Sequence, residues 1–331
     1  MLLGDIAIAL NLLSIAVLAF AVSVIFIALT TRFTLASSEH FTFRLRKLIL
    51  WTLVTAPWWI ALGCVALFVP ERGDMSHRNW LADFAHWHHI DVFSFTSWHA
   101  VTLLFASAYL LFCIVSTVFN RRTQSSAIAN LISLTNVAPA TTQSQLHYYS
   151  LPLNIPAAFT AGLLSPKVYL TSALLEQVNQ QELDIIVRHE FAHVESRDPL
   201  FKVVFSTLAR FFPVRTKRKL IQQFTLLTEQ LADSSVTATY DNLDVAQTLI
   251  NVARMQRNLG VITNRLGCDG MQTSHFGNDQ TSIRVQRLIN PVLSSSWLAA
   301  GISVLLIASV PLLTVSTVDS LHHFFETFFT H

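Results

Sequence analysis

The chain has 331 residues, of which 52% are hydrophobic and 13% are charged. Soluble domains carry about 25% charged residues, so part of this apolar surface must face something other than water. A net charge of +2 disfavours nucleic-acid binding through bulk charge, and three cysteines without a CxxC pair disfavour a disulfide-stapled secreted domain. The composition predicts a membrane protein with room for one modest soluble domain.

Four uncharged stretches are long enough to cross a bilayer, which takes about 20 apolar residues per helix. They are Ile6–Thr31, Leu48–Pro70, Val101–Phe119 and Val292–Val318. We expect the first stretch to be a retained span rather than a signal peptide, because it is long and lacks a basic beginning.

The basic residues are distributed unevenly around these stretches. Sixteen of the 22 Lys and Arg lie in 120–291, four lie between the first two spans, and two lie between the second and third. The positive-inside rule therefore predicts that 120–291 is cytoplasmic and that both termini lie outside. The expected domains are 1–119 with three spans and an outer loop at 71–100, the soluble domain 120–291, a fourth span at 292–318, and a short external tail at 319–331.

The outer loop is rich in histidine and tryptophan. Its histidines are His77, His86, His88, His89 and His99, and three more histidines lie in the tail. Clustered imidazoles could sense a metal ion or pH. The other interpretation is an interfacial loop rich in aromatic and polar rings.

The sequence of the first part of the soluble domain predicts a linker followed by a small sheet. Residues 120 to about 145 are rich in Ser, Thr and Asn, which is typical of a linker or short elements. Phe159–Gly162 and Lys167–Leu170 flank a turn-forming stretch and predict a hairpin, followed by a short helix over Ser172–Leu175.

The strand that begins this hairpin stands just before the best-signalled helix of the chain. An exposed strand in that position could bind a substrate backbone by strand addition. The residues that we expect to do so are Ala157, Phe159, Ala161 and Gly162.

The helix itself has a clear beginning and end. Asn179 is a plausible N-cap with Glu182 three residues later, and Asp198-Pro199 ends the pattern. Later helices are expected over Phe201–Phe212, Thr216–Val236, Leu243–Asn258 and Ser282–Ile289. The predicted fold is therefore a polytopic α-helical membrane protein with four transmembrane helices and a mostly helical α+β domain.

The pattern H-E-x-x-H lies inside this helix, at His189-Glu190-Phe191-Ala192-His193. Positions i and i+4 share one helical face, so two imidazoles can bind one Zn²⁺ ion while Glu190 reaches a metal-bound water. Zinc lowers the pKa of that water, and the glutamate takes its proton during attack on a peptide carbonyl. The pattern predicts a metallopeptidase with one zinc ion per chain.

A catalytic zinc ion needs a third protein ligand and an open position. After His193, the domain offers only Glu195, Glu229 and His275 as Glu or His candidates. Glu195 would face away from His193 on the helix, and His275 lies in a stretch of turn-forming residues. Glu229 is therefore the predicted ligand, and Asp233, one turn later, is expected to accept the other ring N–H of a ligating histidine.

The motifs of residues 150–290 resemble those of the BlaR/MecR type of bacterial membrane metallopeptidase, the β-lactam-sensor and antirepressor family. The resemblance is carried by Leu164–Leu170, by the H-E-x-x-H helix, by Arg197–Leu200, by Phe212-Pro213, by Glu229–Asp233 and by Arg284–Leu288. It implies a gluzincin-like zinc metalloprotease in which His189, His193 and Glu229 bind zinc, Glu190 is the general base, and Asp233 supports the ligands.

The resemblance also implies a role in transmembrane signalling. It implies a bacterial inner membrane and a protein substrate such as a transcriptional repressor. We also expect self-cleavage in the linker, a possible homo-oligomer and, from the net charge of +2, no direct contact with nucleic acid. Only 13 residues follow Val318, so we expect no counterpart of the external penicillin-binding domain that the β-lactam sensors carry.

Two other functions remain open at this stage. The HtpX-type quality-control protease shares the H-E-x-x-H pattern and the later glutamate, but it places apolar, membrane-associated helices between them, and Phe201–Phe212 is only a weak counterpart. The second of these alternatives is a non-proteolytic membrane transducer with a structural zinc site.

Overall fold

The computed structural model describes residues 2–38, 41–68, 92–95, 97–134, 138–142, 145–265, 278–290 and 297–329. The chain divides into two compact units. The first, called here the span unit, contains Met1–Asn120, Thr207–Leu220 and Ser295–His331; the second, called the sheet unit, contains Arg121–Ser206 and Ile221–Ser294. His77, His86, His88 and His89 lie outside the described residues.

The span unit contains four long helices: α1 (Asp5–Ser38), α2 (Phe43–Phe68), α3 (Trp98–Leu134) and α10 (Trp297–Phe329). In the part of the chain that the structure describes, four helical segments are long and apolar enough to cross a membrane: Asp5–Ser38, Phe43–Leu67, Trp98–Phe119 and Val304–Phe325. The prediction of four spans is confirmed at the level of length and composition.

Inside the span unit, α1 packs against both α2 and α10. Two short strands, β1 (Leu2–Leu3) and β2 (Val92–Phe93), pair antiparallel beside the start of α1. The side-chain amide of Asn11 donates to the backbone oxygen of Val92 at 3.0 Å. This bond holds β2 against the first turns of α1.

Two helices extend beyond their predicted ends. The stretch from residue 120 was expected to be a linker, but α3 continues to Leu134 because no Gly or Pro interrupts it before Pro139. The tail 319–331 was expected to follow the fourth span, but α10 continues through Asp319 to Phe329. A single charge at Asp319 removes no backbone hydrogen bond and does not stop a helix.

The sheet unit has one four-stranded sheet in the order β3-β4-β6-β5. Its strands are β3 (Ala138–Thr141), β4 (His147–Leu151), β5 (Ala158–Ala161) and β6 (Lys167–Thr171). The β3–β4 and β5–β6 pairs are antiparallel, whereas β4 and β6 are parallel. The predicted hairpin is confirmed, and β5 lies at the edge of the sheet.

Six helices complete the described part of the sheet unit, and two of them run on into the span unit. They are α4 (Ser172–Leu175), α5 (Gln180–Glu195), α6 (Asp198–Ala209), α7 (Val214–Val236), α8 (Asn242–Arg265) and α9 (Asn278–Ile289). Helix α5 is central: Ile186 and Val187 pack with sheet residues, and Ile185 packs with residues of α7, α8 and α9. Burial on two sides fixes the rotation of α5, which carries the H-E-x-x-H pattern.

The connection between α6 and α7 belongs to the span unit. The Phe211 ring makes edge contacts with the rings of Phe20 and Trp58, at centroid distances of 5.4 and 5.3 Å. The Arg210 guanidinium donates to the backbone oxygen of Cys113 at 2.9 Å and to the Ser116 hydroxyl at 2.7 Å. The predicted helix Phe201–Phe212 is therefore followed by a turn that packs among the candidate spans.

Candidate metal centre

Helix α5 begins at a cap in which two side chains each bond to the other residue's backbone N–H, and this cap defines where the helix starts. The Asn179 side chain accepts from the Glu182 N–H at 2.8 Å, and the Glu182 carboxylate accepts from the Asn179 N–H at 3.0 Å. This capping box satisfies two backbone donors at the helix N-terminus. The histidines His189 and His193 follow Glu182 by seven and eleven residues. Because they are four residues apart, they lie on one helical face.

His189, His193 and Glu229 come together although 40 residues separate His189 from Glu229. Each offers one ligand atom, and these atoms all lie within 4.8 Å of one another. His189 Nε2 is 3.3 Å from one carboxylate oxygen of Glu229, and His193 Nε2 is 3.6 Å from the other. In the part of the chain that the structure describes, this is the one group of three such residues able to hold a metal ion.

Each imidazole is oriented from behind by a second carboxylate. His189 Nδ1 lies 3.0 Å from Asp233 Oδ1, and His193 Nδ1 lies 2.6 Å from Asp198 Oδ2. A carboxylate on Nδ1 fixes the tautomer of the ring and leaves Nε2 as the ligand atom. Both Nε2 atoms face Glu229 as a result.

From the sequence, Asp198 is predicted only to mark the end of the helix, with no role in the site. The structure adds the contact with His193, which arises because Arg197 takes a left-handed conformation (φ 51°) and turns the chain back at the end of α5. The available signal was an acidic residue five positions after the second histidine, at a helix break. His275, the rejected third-ligand candidate, lies outside the described residues.

Two cationic side chains, those of Arg284 and Lys202, contact the carboxylates of the site. The Arg284 guanidinium, only 1% exposed, donates to both oxygens of Asp233 at 2.8 and 2.7 Å, and its Nη1 is 3.3 Å from Glu229. The Lys202 ammonium donates to the other Glu229 oxygen at 3.1 Å. No role is predicted for Lys202 from the sequence, and Arg284 is only part of the family motif, because these contacts join residues 27 and 51 positions apart.

These hydrogen bonds and ion pairs shift the pKa values of the site residues in the direction opposite to the effect of burial. Burial alone would raise the pKa of Glu229, but hydrogen bonds to the two imidazoles and the nearby Lys202 hold it well below its usual value. For Asp233, burial is likewise outweighed by Arg284, which lowers the pKa. Burial opposes the charged form of His193, yet Asp198 and Glu229 raise its pKa to about 9. The site therefore concentrates negative charge where a cation would sit.

Glu190, the predicted general base, is buried on α5 beside β5. The Thr160 hydroxyl lies 2.9 Å from its Oε2 atom and 3.0 Å from its backbone oxygen, and can donate to either. Thr160 was not among the residues picked out from the sequence. An alternating strand pattern could have suggested it, because Ala158 and Thr160 share the face of β5 opposite to Phe159 and Ala161.

The four residues predicted to bind substrate lie on or next to β5. The Ala157 carbonyl accepts from the Thr171 N–H of β6 at 3.0 Å, and Phe159 stacks on Tyr169 with a centroid distance of 5.5 Å. Gly162 takes φ 113°, and a Cβ there would lie 2.6 Å from the Ser165 oxygen, so a glycine is needed for the turn. Ala161 pairs with Lys167 in the ladder.

A cavity of about 60 Å³ adjoins His189 and Glu190. Its polar end includes His189, Glu190, Asp233 and Arg284. Its apolar wall is lined by Ala158, Ile185, Ile186, Val245, Leu249 and Val252. The cavity therefore places a largely apolar space next to Glu190.

The donor set fits a zinc ion. Two imidazole nitrogens and one carboxylate oxygen are the ligands found in catalytic zinc sites that keep an open position. Both imidazoles are already oriented by carboxylates, and the third ligand is ionised by its surroundings. Hard-cation sites for Ca²⁺ or Mg²⁺ use oxygen ligands instead.

Residues 137–274 match the model of peptidase family M48. The matched M48 segment covers less than half of the chain and contains β3–β6 and α4–α8, including His189, Glu190, His193 and Glu229. Arg284 lies beyond it. A search of the curated proteins and a search of the solved structures found no significant match.

The M48 match supports a metallopeptidase, and the four apolar helices support a protein of the membrane. Together with the group of His189, His193 and Glu229, the match supports zinc as the metal. A peptidase acts on a protein, and membrane-spanning helices imply a lipid bilayer. The match and the apolar helices therefore support these two partners.

Proposed function

We propose that this chain is a membrane-embedded zinc metalloendopeptidase that cleaves a regulatory protein at the cytoplasmic face of a bacterial inner membrane. The observation that carries the proposal is the convergence of His189 Nε2, His193 Nε2 and the Glu229 carboxylate next to Glu190. The gluzincin arrangement, with a glutamate as third ligand, is part of this proposal.

In this mechanism His189, His193 and Glu229 would hold the zinc ion. When bound, zinc polarises the substrate carbonyl and makes a bound water acidic enough to lose a proton near neutral pH. Asp233 and Asp198 keep the two imidazoles in the tautomer that presents Nε2. Arg284 and Lys202 hold the carboxylates of Asp233 and Glu229 in place.

Glu190 performs the proton transfers. Its carboxylate accepts a proton from water as the water oxygen bonds to the carbonyl carbon. It then gives that proton to the amide nitrogen, which leaves as an amine when the C–N bond breaks. The apolar lining beside Glu190 strengthens the electrostatic interactions of both steps, because it lowers the effective dielectric constant.

The substrate is expected to bind as an extended strand against the edge strand β5. The ladder register refines the earlier expectation about which residues do so. Ala157 is hydrogen-bonded to Thr171, so the backbone groups of Phe159 and Ala161 also point toward β6, whereas those of Ala158 and Thr160 point to the free edge. The backbone contacts are therefore assigned to Ala158 and Thr160.

The regulatory role rests on the resemblance to the BlaR/MecR type and on the uneven distribution of basic residues. A repressor-like protein is the proposed substrate. Self-cleavage between residues 120 and 145 would need the end of α3 to unwind first, because α3 reaches Leu134 and a protease binds its substrate as an extended chain.

Replacing Glu190 by Gln in the full-length chain tests the proposal. The variant should keep its zinc, because the ligands are intact, and cleavage by the purified protein should fall by about 10²–10⁴-fold. If instead Glu190→Gln cleaves as well as wild type while His189→Ala destabilises the fold, the zinc site is structural and the chain is a non-proteolytic transducer.

The HtpX-type quality-control function is a second candidate, favoured by one observation. The turn between α6 and α7, between the H-E-x-x-H pattern and Glu229, packs among the spans through Phe211 and Arg210. Proteomics of cells that carry wild type or Glu190→Gln separates the two functions. One accumulating regulatory protein supports signalling, and many accumulating misfolded membrane proteins support quality control.

A further inference from the structure

We infer that Thr160 is a positioning residue that sets the catalytic base against the substrate strand: its hydroxyl holds the Glu190 carboxylate while its own backbone receives the substrate. The inference rests on the proposed peptidase function and adds a residue to it.

The side chain of Thr160 reaches the base directly. Its Oγ1 atom is 2.9 Å from Glu190 Oε2 and 3.0 Å from the Glu190 backbone oxygen. The hydroxyl has one hydrogen, and a charged carboxylate is a stronger acceptor than a peptide oxygen that lies within a helix. Donation to Oε2 therefore dominates, and it leaves Oε1 to receive the proton of the attacking water.

The backbone of Thr160 faces the other way along the sheet. Ala157 is hydrogen-bonded to Thr171, and such pairs alternate with non-bonded pairs along an antiparallel ladder. Thr160, opposite Val168, is in a non-bonded pair, so its N–H and C=O point away from β6. Among the described residues, β5 is the last strand on that side of the sheet.

One residue therefore connects the two reacting partners. A substrate strand added to β5 would hydrogen-bond to the Thr160 backbone, while the Thr160 hydroxyl fixes the rotamer of Glu190. The β-branched side chain is stiff about χ1, so the distance between the backbone and the hydroxyl is nearly constant. Proton transfer depends on sub-ångström placement of the base relative to the water, which makes this connection a determinant of kcat.

The effect of losing the hydroxyl is specific. Thr160→Val keeps the shape, the β-branch and the backbone pairing but leaves the Glu190 carboxylate without this donor. We expect kcat to fall by about 10–100-fold, the size of one hydrogen bond to a charged group, and KM to stay within about twofold. Thr160→Ser restores the donor on a more mobile side chain and should recover kcat to within about fivefold of wild type.

A matched control exists in the same hairpin. The Thr171 hydroxyl of β6 accepts from the Ala157 N–H at 2.9 Å and does not reach Glu190. Thr171→Val removes a hydroxyl of the same chemistry and should lower the melting temperature about as much as Thr160→Val, while kcat is retained. The comparison separates loss of hairpin stability from loss of base positioning.

The experiment uses the full-length chain, purified in detergent and loaded with zinc, and measures kcat and KM on a quenched fluorescent peptide that wild type cleaves and Glu190→Gln does not. Zinc content and melting temperature are recorded for every variant. A selective fall in kcat with Thr160→Val and its recovery with Thr160→Ser support the inference. If the Val variant loses zinc or unfolds, Thr160→Ala carries the same expectation.

Three results would overturn the inference: wild-type kcat in Thr160→Val, a rise in KM alone, or equal losses in the Val and Ser variants. Failure of the proposed function looks different. In that case no difference between wild type and Glu190→Gln is found on any peptide, before Thr160 is changed.

Discussion

Two pairs of histidines, one in each unit, lie in different surroundings. In the sheet unit, His189 and His193 each have a carboxylate at Nδ1 and share Glu229 at Nε2. In the span unit, His99 and His322 lie 5.9 Å apart between ring centroids, and the Trp98 ring contacts both.

The difference lies in the chemistry of the neighbours. Carboxylates fix tautomers and supply the negative charge that a cation needs. The His99–His322 pair instead meets aromatic rings, and His99 Nδ1 lies 2.5 Å from the Ser14 hydroxyl. We expect zinc binding at the His189–His193 pair, and variants in both pairs test that expectation.

Loss of a ligand should have the largest effect. His193→Ala or Glu229→Ala leaves two protein ligands, so zinc content should fall from about one ion per chain to below a tenth, and cleavage should be lost with it. Elemental analysis of the purified chain and a peptidase assay measure both. Normal zinc content in Glu229→Ala would contradict the assigned ligand set.

Removal of Arg284 should have the next largest effect. Arg284→Met leaves the buried Asp233 carboxylate without its two strongest donors, and breaking a buried ion pair costs about 3–5 kcal/mol. Chemical denaturation of the metal-free chain measures this loss. The double variant Arg284→Met/Asp233→Asn should recover part of it, because it no longer buries an uncompensated charge.

Changing the carboxylate behind His193 should weaken the site without emptying it. Asp198→Asn keeps the size of the side chain but removes the charge that orients the ring, so zinc affinity should fall by about 10–100-fold. Competition with a chromophoric chelator gives the affinity. An unchanged dissociation constant would show that the 2.6 Å contact does not orient the ligand.

The smallest effect is expected in the span unit. His322→Phe keeps an aromatic ring against Trp98, so zinc content and kcat should stay within about twofold of wild type, and stability within about 1 kcal/mol. The same assays apply. Loss of a zinc ion from this variant would end the distinction drawn between the two histidine pairs.

Local patterns allowed part of the molecule to be predicted well. The four apolar stretches, the β5–β6 hairpin and the capped helix α5 each depend on residues close together in the sequence, and the structure confirms them. Helix ends were predicted less well. Composition suggested a break after residue 119 and at Asp319, whereas a helix continues until its backbone hydrogen bonding is interrupted.

The site was predicted only where chemistry restricted the choice. Glu229 is predicted because the domain offers only three Glu or His candidates after the H-E-x-x-H pattern, and Asp233 because it lies one turn after Glu229 on the same helical face. Asp198, Lys202 and Thr160 offered no comparable restriction, because each is an ordinary residue until folding places it against His193, Glu229 or Glu190.

By itself, the sequence determined that the chain has four apolar stretches and one helix with two imidazoles and a carboxylate on neighbouring positions, because these features follow from composition and from the 3.6-residue helical period. Only the tertiary structure decided which carboxylate faces which nitrogen and that the edge strand presents Thr160 to the base. Apart from the His193–Asp198 contact, these contacts join residues 30 to 51 positions apart, and their geometry is set by the packing of α5 between the sheet and three helices.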